Sequence, residues 1–166
     1  MANTTGKKIK DIAIIGGCAS LIYLTIGDIS YRLSLSRGGL NSKLSTDMVA
    51  KSAAKKPKNE YKEKLDSMID DGADWFMHQD TEKIIIEKKH RQSLYADLIR
   101  PDKPSNVYII CIHGYTSSPA NMGIYAKKYH ELGYNVLLPS LRGHGDSEQD
   151  FITMGWNDRL DVIEWI

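Results

Sequence analysis

The sequence predicts an α/β fold, and three observations lead to that prediction. Two apolar runs, residues 106–112 (NVYIICI) and 134–139 (YNVLLP), have the composition of strands that are covered on both faces. A helical pattern lies between them, so together they form a βαβ unit with parallel strands and a right-handed connection. A β-branched run at 83–87 comes earlier and predicts an antiparallel hairpin in front of this unit.

Composition and charge place the chain among globular proteins. It has 166 residues, of which 42% are hydrophobic and 26% charged, and this is enough for one domain of ordinary size. The formal net charge of +1 gives no field that would attract nucleic acid, so we expect no nucleic-acid partner. Cys18 and Cys111 lie far apart in unlike surroundings, which argues against a disulfide framework.

The N-terminal residues have the order of a membrane-targeting segment. A basic tail, 1–11, precedes an uncharged run at 12–27 that is near the short limit for a transmembrane helix. We interpret this hydrophobic helix as an uncleaved signal anchor, which makes a single N-terminal membrane span. A cleaved signal peptide is an alternative, because Thr25 and Gly27 are small enough for a cleavage site. A buried helix of a soluble protein is another, because apolar runs of this length are often core.

A polar, basic segment at 28–64 is predicted to be a partly helical linker. Pro57 interrupts any helix in its most charged stretch, KSAAKKPKNEYKEK. A solvated linker is favoured over a spacer held against anionic lipid headgroups. Basic residues also flank the apolar run equally, three on each side, so the charge count leaves the orientation of the span open.

A domain is predicted at 65–166, and its first element is a helix. An apolar stripe at helical spacing indicates this helix, which begins in the linker: Tyr61, Leu65, Met68 and Ile69. We expect its C-terminal apolar residues to pack onto the domain: Trp75, Phe76 and Met77. Its aspartates do not fit the calcium-loop pattern and predict a solvated face instead: Asp66, Asp70, Asp71 and Asp74.

The strands and helices of the sheet follow in order. Residues 83–87 and 93–101 form the hairpin, with KKHRQ as its connection. Ser118 is a suitable N-cap for the crossover helix, and Gly133 a suitable C-cap. The predicted buried stripe of this helix comprises Met122, Tyr125, Ala126, Tyr129 and Leu132. A further helix begins in 156–166, with an apolar face of Trp156, Leu160 and Ile163.

A polar loop follows each of the two parallel strands. His113-Gly114-Tyr115 follows the first, and SLRGHGDS at 140–147 follows the second. Ligands of open α/β sheets bind outside the carboxyl ends of the strands, so both loops belong to one candidate site. Gly114 permits a sharp turn after which an N–H can face a ligand, and an oxyanion hole requires such an N–H.

His-Gly-Tyr after a buried strand, followed one crossover later by Arg-Gly-His-Gly-Asp-Ser, resembles the N-terminal half of an α/β-hydrolase. The sequence is similar in particular to the serine aminopeptidase, acylglycerol-lipase and small carboxylesterase branch, over about residues 83–166. The resemblance implies hydrolysis of a small-molecule ester or a peptide through an acyl-serine intermediate, without cofactor or metal. An apolar anchor before such a domain is similar to membrane-tethered members from Gram-positive bacteria, which implies a domain on the extracellular side.

The resemblance also implies roles for individual residues. Tyr115 would supply one oxyanion-hole N–H, while His113 would brace the loop by hydrogen bonding and not act as the base. A tight turn stabilised by Ser147 would support the site: Arg142, Gly143, His144 and Gly145.

The sequence departs from the family pattern at the nucleophile. None of the 166 residues stands in a G-x-S-x-G elbow, and the nearest segment, 145–149 (GDSEQ), lacks the last glycine. Since the triad order in this fold is Ser, Asp or Glu, then His, we expect all three beyond Ile166, with the domain truncated before the elbow. The alternative is a non-catalytic, membrane-tethered half-domain that serves as a binding module or is a truncated product.

Three other interpretations of the loops are less favoured. His113 or His144 as the base for Ser117 or Ser147 lacks an orienting acid. A metal site of the two histidines lacks a third ligand at a sensible spacing. A nucleotide-binding unit would need glycines that HGYTSS does not contain.

Overall fold

Four strands form one mixed sheet in the computed structural model, which describes residues 2–40, 59–90 and 92–166. The order across the sheet is β1-β2-β4-β3, where β1 pairs antiparallel with β2, β2 antiparallel with β4, and β3 parallel with β4. The strands are β1 (Glu82–Ile86), β2 (Leu94–Ile99), β3 (Tyr108–Ile110) and β4 (Asn135–Ser140). The predicted α/β class is confirmed, as are the hairpin and the parallel βαβ unit that follows it.

Helical elements precede, connect and follow the strands along the chain. The N-terminal helix α1 (Ala2–Leu35) is followed by the single turn α2 (Arg37–Leu40). Helix α3 (Glu60–Met77) precedes the sheet, a 3₁₀ turn (Pro119–Met122) leads into α4 (Gly123–Glu131), and α5 (Asp158–Glu164) follows β4.

Strand β4 is the centre of the core, and all six of its residues are buried. Its side chains alternate between the two faces of the sheet, as strand geometry requires. Val136 and Leu138 join the cluster beneath α3 and α4, together with Phe76, Ile99, Cys111 and Ala126. Leu137 points to the other face, where it packs with Ala96 and Leu98.

Strand β3 is not covered on both faces, so that prediction is wrong. It also lies at the edge of the described sheet, where β4 is its one hydrogen-bonded neighbour. Cys111 continues its pairing with β4 and is buried, but Tyr108 is 57% exposed and Ile112 42% exposed. Part of the apolar surface of β3 and of the residues that follow it is therefore not covered by the described residues.

Helices α3 and α4 approach each other so closely that glycine is required at the contact. A Cβ on Gly72 would overlap the backbone of Gly123 and Ile124, and a Cβ on Gly123 would overlap the backbone of Gly72. Because this contact covers the Gly123–Ala126 side of α4, the predicted stripe is only partly right. Ala126 is fully buried, whereas Tyr125 and Leu132 are exposed.

The buried part of α3 is its C-terminal half. Phe76 is buried and Trp75 packs partly against the same cluster, as predicted, but Met77 is exposed. The first half of the predicted apolar stripe, including Tyr61 and Leu65, also remains exposed. The four aspartates are exposed, as predicted for a solvated face.

Helix α1 is long and apolar enough to cross a membrane over Ile14–Leu35, although a signal sequence or a core helix of a soluble protein would meet the same criteria. The helix runs past Gly27, where the predicted span ends, and Arg32 pairs with Asp28 at 2.8 Å in this extension. The part of the predicted linker at 41–58, including Pro57, lies outside the described residues.

The glycine contact predicts a specific stability loss. Gly123→Ala should lower the free energy of unfolding by about 1–3 kcal/mol, the usual cost of overpacking, because backbone must move on both helices. Gly38→Ala is the matched control, since a Cβ there meets nothing within 4 Å and alanine favours helix. Urea unfolding of detergent-solubilised protein, followed by tryptophan fluorescence, measures both. Equal stability of the two variants would contradict the close contact.

Candidate active site

A cleft of about 230 Å³ lies where the loops after β3 and β4 meet. It stands at the carboxyl ends of the two parallel strands, the position at which the sequence predicts the site. Two of the predicted site residues, Tyr115 and His144, line it. Leu141, which also lines it, belongs to the predicted loop at 140–147. The remaining lining residues lie outside both predicted loops: Ile152, Met154, Gly155 and Asp158.

His113 connects the two loops through both of its ring nitrogens. The side chain is 2% exposed. Its Nε2 accepts a hydrogen bond from the Leu141 N–H at 3.1 Å, and its Nδ1 lies 3.0 Å from the Gly114 carbonyl oxygen. Since a main-chain N–H can only donate, Nε2 is unprotonated and Nδ1–H donates to Gly114. Burial lowers the pKa of His113 and so favours this neutral form.

Tyr115 lies in a tight turn at the edge of the cleft. The Ser117 N–H donates to the Gly114 carbonyl at 3.2 Å and closes the turn. The sequence predicts that Gly114 makes the sharp turn of this loop. The residue with a left-handed backbone is instead Thr116, at φ +56°. A β-branched residue in this conformation is strained. Within the described ranges, no acceptor takes a hydrogen bond from the Tyr115 N–H.

The turn after β4 needs glycine at two positions. Gly143 has φ +73° and Gly145 φ +50°, where side chains other than glycine are strained. A Cβ on Gly143 would also lie 2.9 Å from the Ile152 backbone nitrogen. Ser147 is fully buried and its hydroxyl donates to Gln149, so it braces the turn and is not exposed as a nucleophile.

Buried carboxylates of α5 hold this turn in place. Asp161 receives two hydrogen bonds from the Arg142 guanidinium, at 2.6 Å from Nε and 2.8 Å from Nη2. Asp158 accepts from the Arg142 N–H at 3.3 Å and from the Gly155 N–H at 2.8 Å. A bidentate, charge-assisted pair of this kind fixes both position and orientation, and hydrogen bonding to Asp161 raises the pKa of Arg142.

These carboxylates explain why the predicted face of the last helix is wrong. Asp158 and Asp161 are 6% and 4% exposed, whereas the apolar residues predicted to face the core are exposed: Trp156, Leu160 and Ile163. The two aspartates determine the buried side of α5, because they accept hydrogen bonds from Arg142 and from the Gly155 N–H. Two aspartates three residues apart, one helical turn, are the signal in the sequence that indicates this face.

His144 leaves one polar atom at the cleft without a partner. Its Nδ1 lies 2.9 Å from the Arg142 carbonyl, and its ring meets the ring of His113 edge to face with centroids 4.9 Å apart. Its Nε2 is buried and has no hydrogen-bond partner among the described residues. Those residues also bring together no three His, Cys, Asp or Glu side chains suited to a metal ion.

The neutral state of His113 predicts a pH dependence of stability. Its pKa is lowered on folding, so the unfolded chain binds more protons below the ordinary value of about 6.5, and stability is lost as pH falls through that value and towards the folded pKa. In His113→Gln this part of the pH dependence should disappear. The measurement is the urea midpoint between pH 8 and pH 5. His90→Asn, at an exposed position with φ +58° that asparagine tolerates, should keep the wild-type slope.

Comparison with known proteins gives one short match in curated sequences. A segment of 58 residues is 34% identical to a thermostable monoacylglycerol lipase from Bacillus sp. (strain H-257). The match covers 35% of this chain and 23% of the lipase, so it spans less than a quarter of that protein. No family model and no solved structure matches the chain. The comparison therefore supports, loosely, a relationship to a hydrolase.

Proposed function

We propose that the protein is a serine hydrolase of the α/β-hydrolase type, which cleaves a carboxyl ester or an amide through an acyl-serine intermediate. The observation that carries this proposal is the Tyr115 N–H, which has no acceptor among the described residues and belongs to a residue that lines the cleft. The segment shared with a monoacylglycerol lipase supports an ester as the substrate.

The chemistry follows from the position of this donor. A serine Oγ adds to the substrate carbonyl carbon, its proton passes to a histidine, and the carbonyl oxygen becomes an oxyanion. A donor that is fixed before the reaction stabilises that charge without reorganisation. The histidine returns the proton to the leaving group, and water then hydrolyses the acyl-serine. In this proposal the nucleophile, the acid and the base come from residues that are not among these 166.

His113 and Arg142 act as positioning residues in this mechanism. Both ring nitrogens of His113 are engaged, so it braces the Tyr115 loop and does not transfer protons. The pair between Arg142 and Asp161 holds the neighbouring turn with Gly143, His144, Gly145 and Ser147. Preorganisation of this kind is what an oxyanion donor needs, because a displacement of 1 Å weakens it strongly.

We further propose that residues 12–27 anchor the protein in a membrane with the cleft on the extracellular side. The described side chains from Ile14 to Tyr31 are all exposed, which leaves an apolar helix without cover from the rest of the protein. A lipid bilayer supplies such cover.

A second function is favoured by one observation: of the described serines, neither Ser117 nor Ser147 is placed as a nucleophile. Ser147 is buried and donates to Gln149, and Ser117 accepts a hydrogen bond from Asn121 at 3.1 Å; within the described ranges neither hydroxyl donates to a histidine. A non-catalytic, membrane-tethered binding module would have these properties.

Hydrolysis of a soluble ester separates the two functions. The 166-residue chain should not hydrolyse p-nitrophenyl butyrate above a heat-inactivated control, because it supplies neither nucleophile nor base. A protein that continues past Ile166 to a G-x-S-x-G elbow should hydrolyse it and should react with a fluorophosphonate probe. A continued protein that has the elbow, folds and does neither would favour the binding module.

Two substitutions at Tyr115 test the oxyanion donor in such an active protein. Tyr115→Pro removes the N–H and should lower kcat by about 10²–10³. Proline suits the second position of this turn, so the fold should survive. Tyr115→Phe keeps the N–H and loses only the phenol contact, so its kcat should fall far less. A Pro variant that folds, judged by its melting temperature, and turns over substrate like wild type would refute the assignment.

A further inference from the structure

The C-terminal end of α1 is joined to the wall of the cleft. Residues 31–37, which we call the docking segment, meet residues 150–152 through one antiparallel bridge between Ser36 and Phe151. The Ile152 N–H donates to the Leu35 carbonyl at 2.8 Å, and the Arg37 N–H donates to the Asp150 carbonyl at 2.8 Å. Main-chain hydrogen bonds in both directions fix the register of the two segments.

Side chains extend this contact to both loops of the site. The Arg37 guanidinium donates to the carbonyl oxygens of Gly145 and Ser147, in the turn after β4. The Tyr115 hydroxyl donates to the Ser34 carbonyl at 2.6 Å. The helix that is apolar enough to cross a membrane is therefore held by direct contacts against the proposed oxyanion loop and its supporting turn.

The distance along α1 places this contact near the surface of a bilayer. From Gly27, the end of the uncharged run, to Ser34 the helix rises about 10 Å. The headgroup layer on each side of a bilayer is roughly 5–8 Å thick, so with a span that ends at Gly27 this contact lies at the outer edge of that layer. If the hydrocarbon core instead extends to Leu35, the end of the candidate span, the contact lies directly at its boundary.

The residues around the mouth of the cleft suit such a surface. Met154 lines the cleft and is 64% exposed, and Trp156 beside it is 72% exposed. The Arg159 guanidinium lies over the Trp156 ring, 4.1 Å from its centroid. Tryptophan is enriched at membrane interfaces, and arginine keeps its charge in the headgroup layer while its stem covers apolar surface. Phe151, next in the chain to the cleft residue Ile152, meets Tyr31 of α1 at 5.5 Å between ring centroids.

We propose that the docking segment holds the mouth of the cleft in the headgroup layer of a bilayer, so that the protein takes amphiphilic esters from the membrane and not dissolved substrates from water. This inference rests on the proposed hydrolase function and on the proposed span. It adds the source of the substrate, which neither of those proposals specifies. The partner of the exposed mouth is a lipid surface, since the mouth is continuous with a helix whose apolar side chains are uncovered.

The depth of the mouth can be measured without catalysis. Met154→Cys, in a Cys18→Ala background, is labelled with the environment-sensitive dye NBD and reconstituted into vesicles of phosphatidylcholine and phosphatidylglycerol. Cys111 should not react, because it is buried and burial raises the pKa of its thiol. Lys103→Cys is the matched control, exposed in the loop before β3, at the opposite end of the strands.

The label at 154 should emit at shorter wavelength than the label at 103 and should be quenched several-fold less by aqueous iodide. A six-residue Gly-Ser insertion between Gly27 and Asp28 should abolish the difference, because it separates span and domain by about 13 Å while leaving the docking segment intact. Trp156→Cys provides a second label at the mouth, and tryptophan fluorescence checks the fold of each variant.

The outcomes distinguish this inference from the proposals on which it rests. If the label at 154 is as accessible as the label at 103 while the protein resists carbonate extraction, the span stands and the inference fails. If carbonate extracts the protein, the span itself fails and the inference with it. If the label is protected in detergent-free protein without vesicles, another protein copy covers the mouth, which also overturns the inference. The esterase assay on soluble substrate tests the hydrolase proposal separately.

Discussion

A single buried imidazole links the ends of the two parallel strands. His113 follows β3, yet its Nε2 accepts a hydrogen bond from the N–H of Leu141, the first residue after β4. Its Nδ1–H donates a hydrogen bond to the Gly114 carbonyl. The arrangement requires a neutral ring, because a protonated Nε2 would face a main-chain donor with another donor. The rest of the site depends on these two hydrogen bonds. Tyr115 directly follows Gly114, and the turn with Gly143 and Gly145 directly follows Leu141.

The second loop is rigid for a different reason. Its conformation is dictated by residues with positive φ and by a buried ion pair, and each requires a partner from further along the chain. Arg142 would leave a desolvated charge if Asp161 were absent, and removal of one partner from such a pair is costly. The site therefore combines the hydrogen bonds of a neutral His113 on one side with the bidentate ion pair of Arg142 and Asp161 on the other. Both are largely shielded from solvent.

Local patterns in the sequence predicted the sheet well and the helix faces poorly. The composition of β4 identifies a buried strand, because a central strand has apolar neighbours on both faces wherever the helices lie. The buried face of α5, by contrast, is decided by the hydrogen bonds of its aspartates to Arg142 and to the segment at 153–155, so the apolar periodicity of this helix indicates the wrong face. The face of α4 depends in the same way on Gly72, a residue of another helix.

Of the site, the two loops are found from the sequence because they follow recognisable strands. Met154 and the docking segment are not, because only tertiary contacts bring them to the cleft.

The pairing of Leu35 and Arg37 with residues 150–152 also has a consequence for the order of assembly. The hydrogen bonds of Arg37 to the turn join residues that are 108 and 110 positions apart in the chain. Closing a loop of that length costs about 4 kcal/mol of chain entropy, so this contact forms late, after the sheet already holds most of the intervening residues. During synthesis α1 leaves the ribosome more than a hundred residues before its partner residues, 150–152. The wall of the cleft is thus completed only after the whole of the sheet has been synthesised, although the helix that contributes to it is made first.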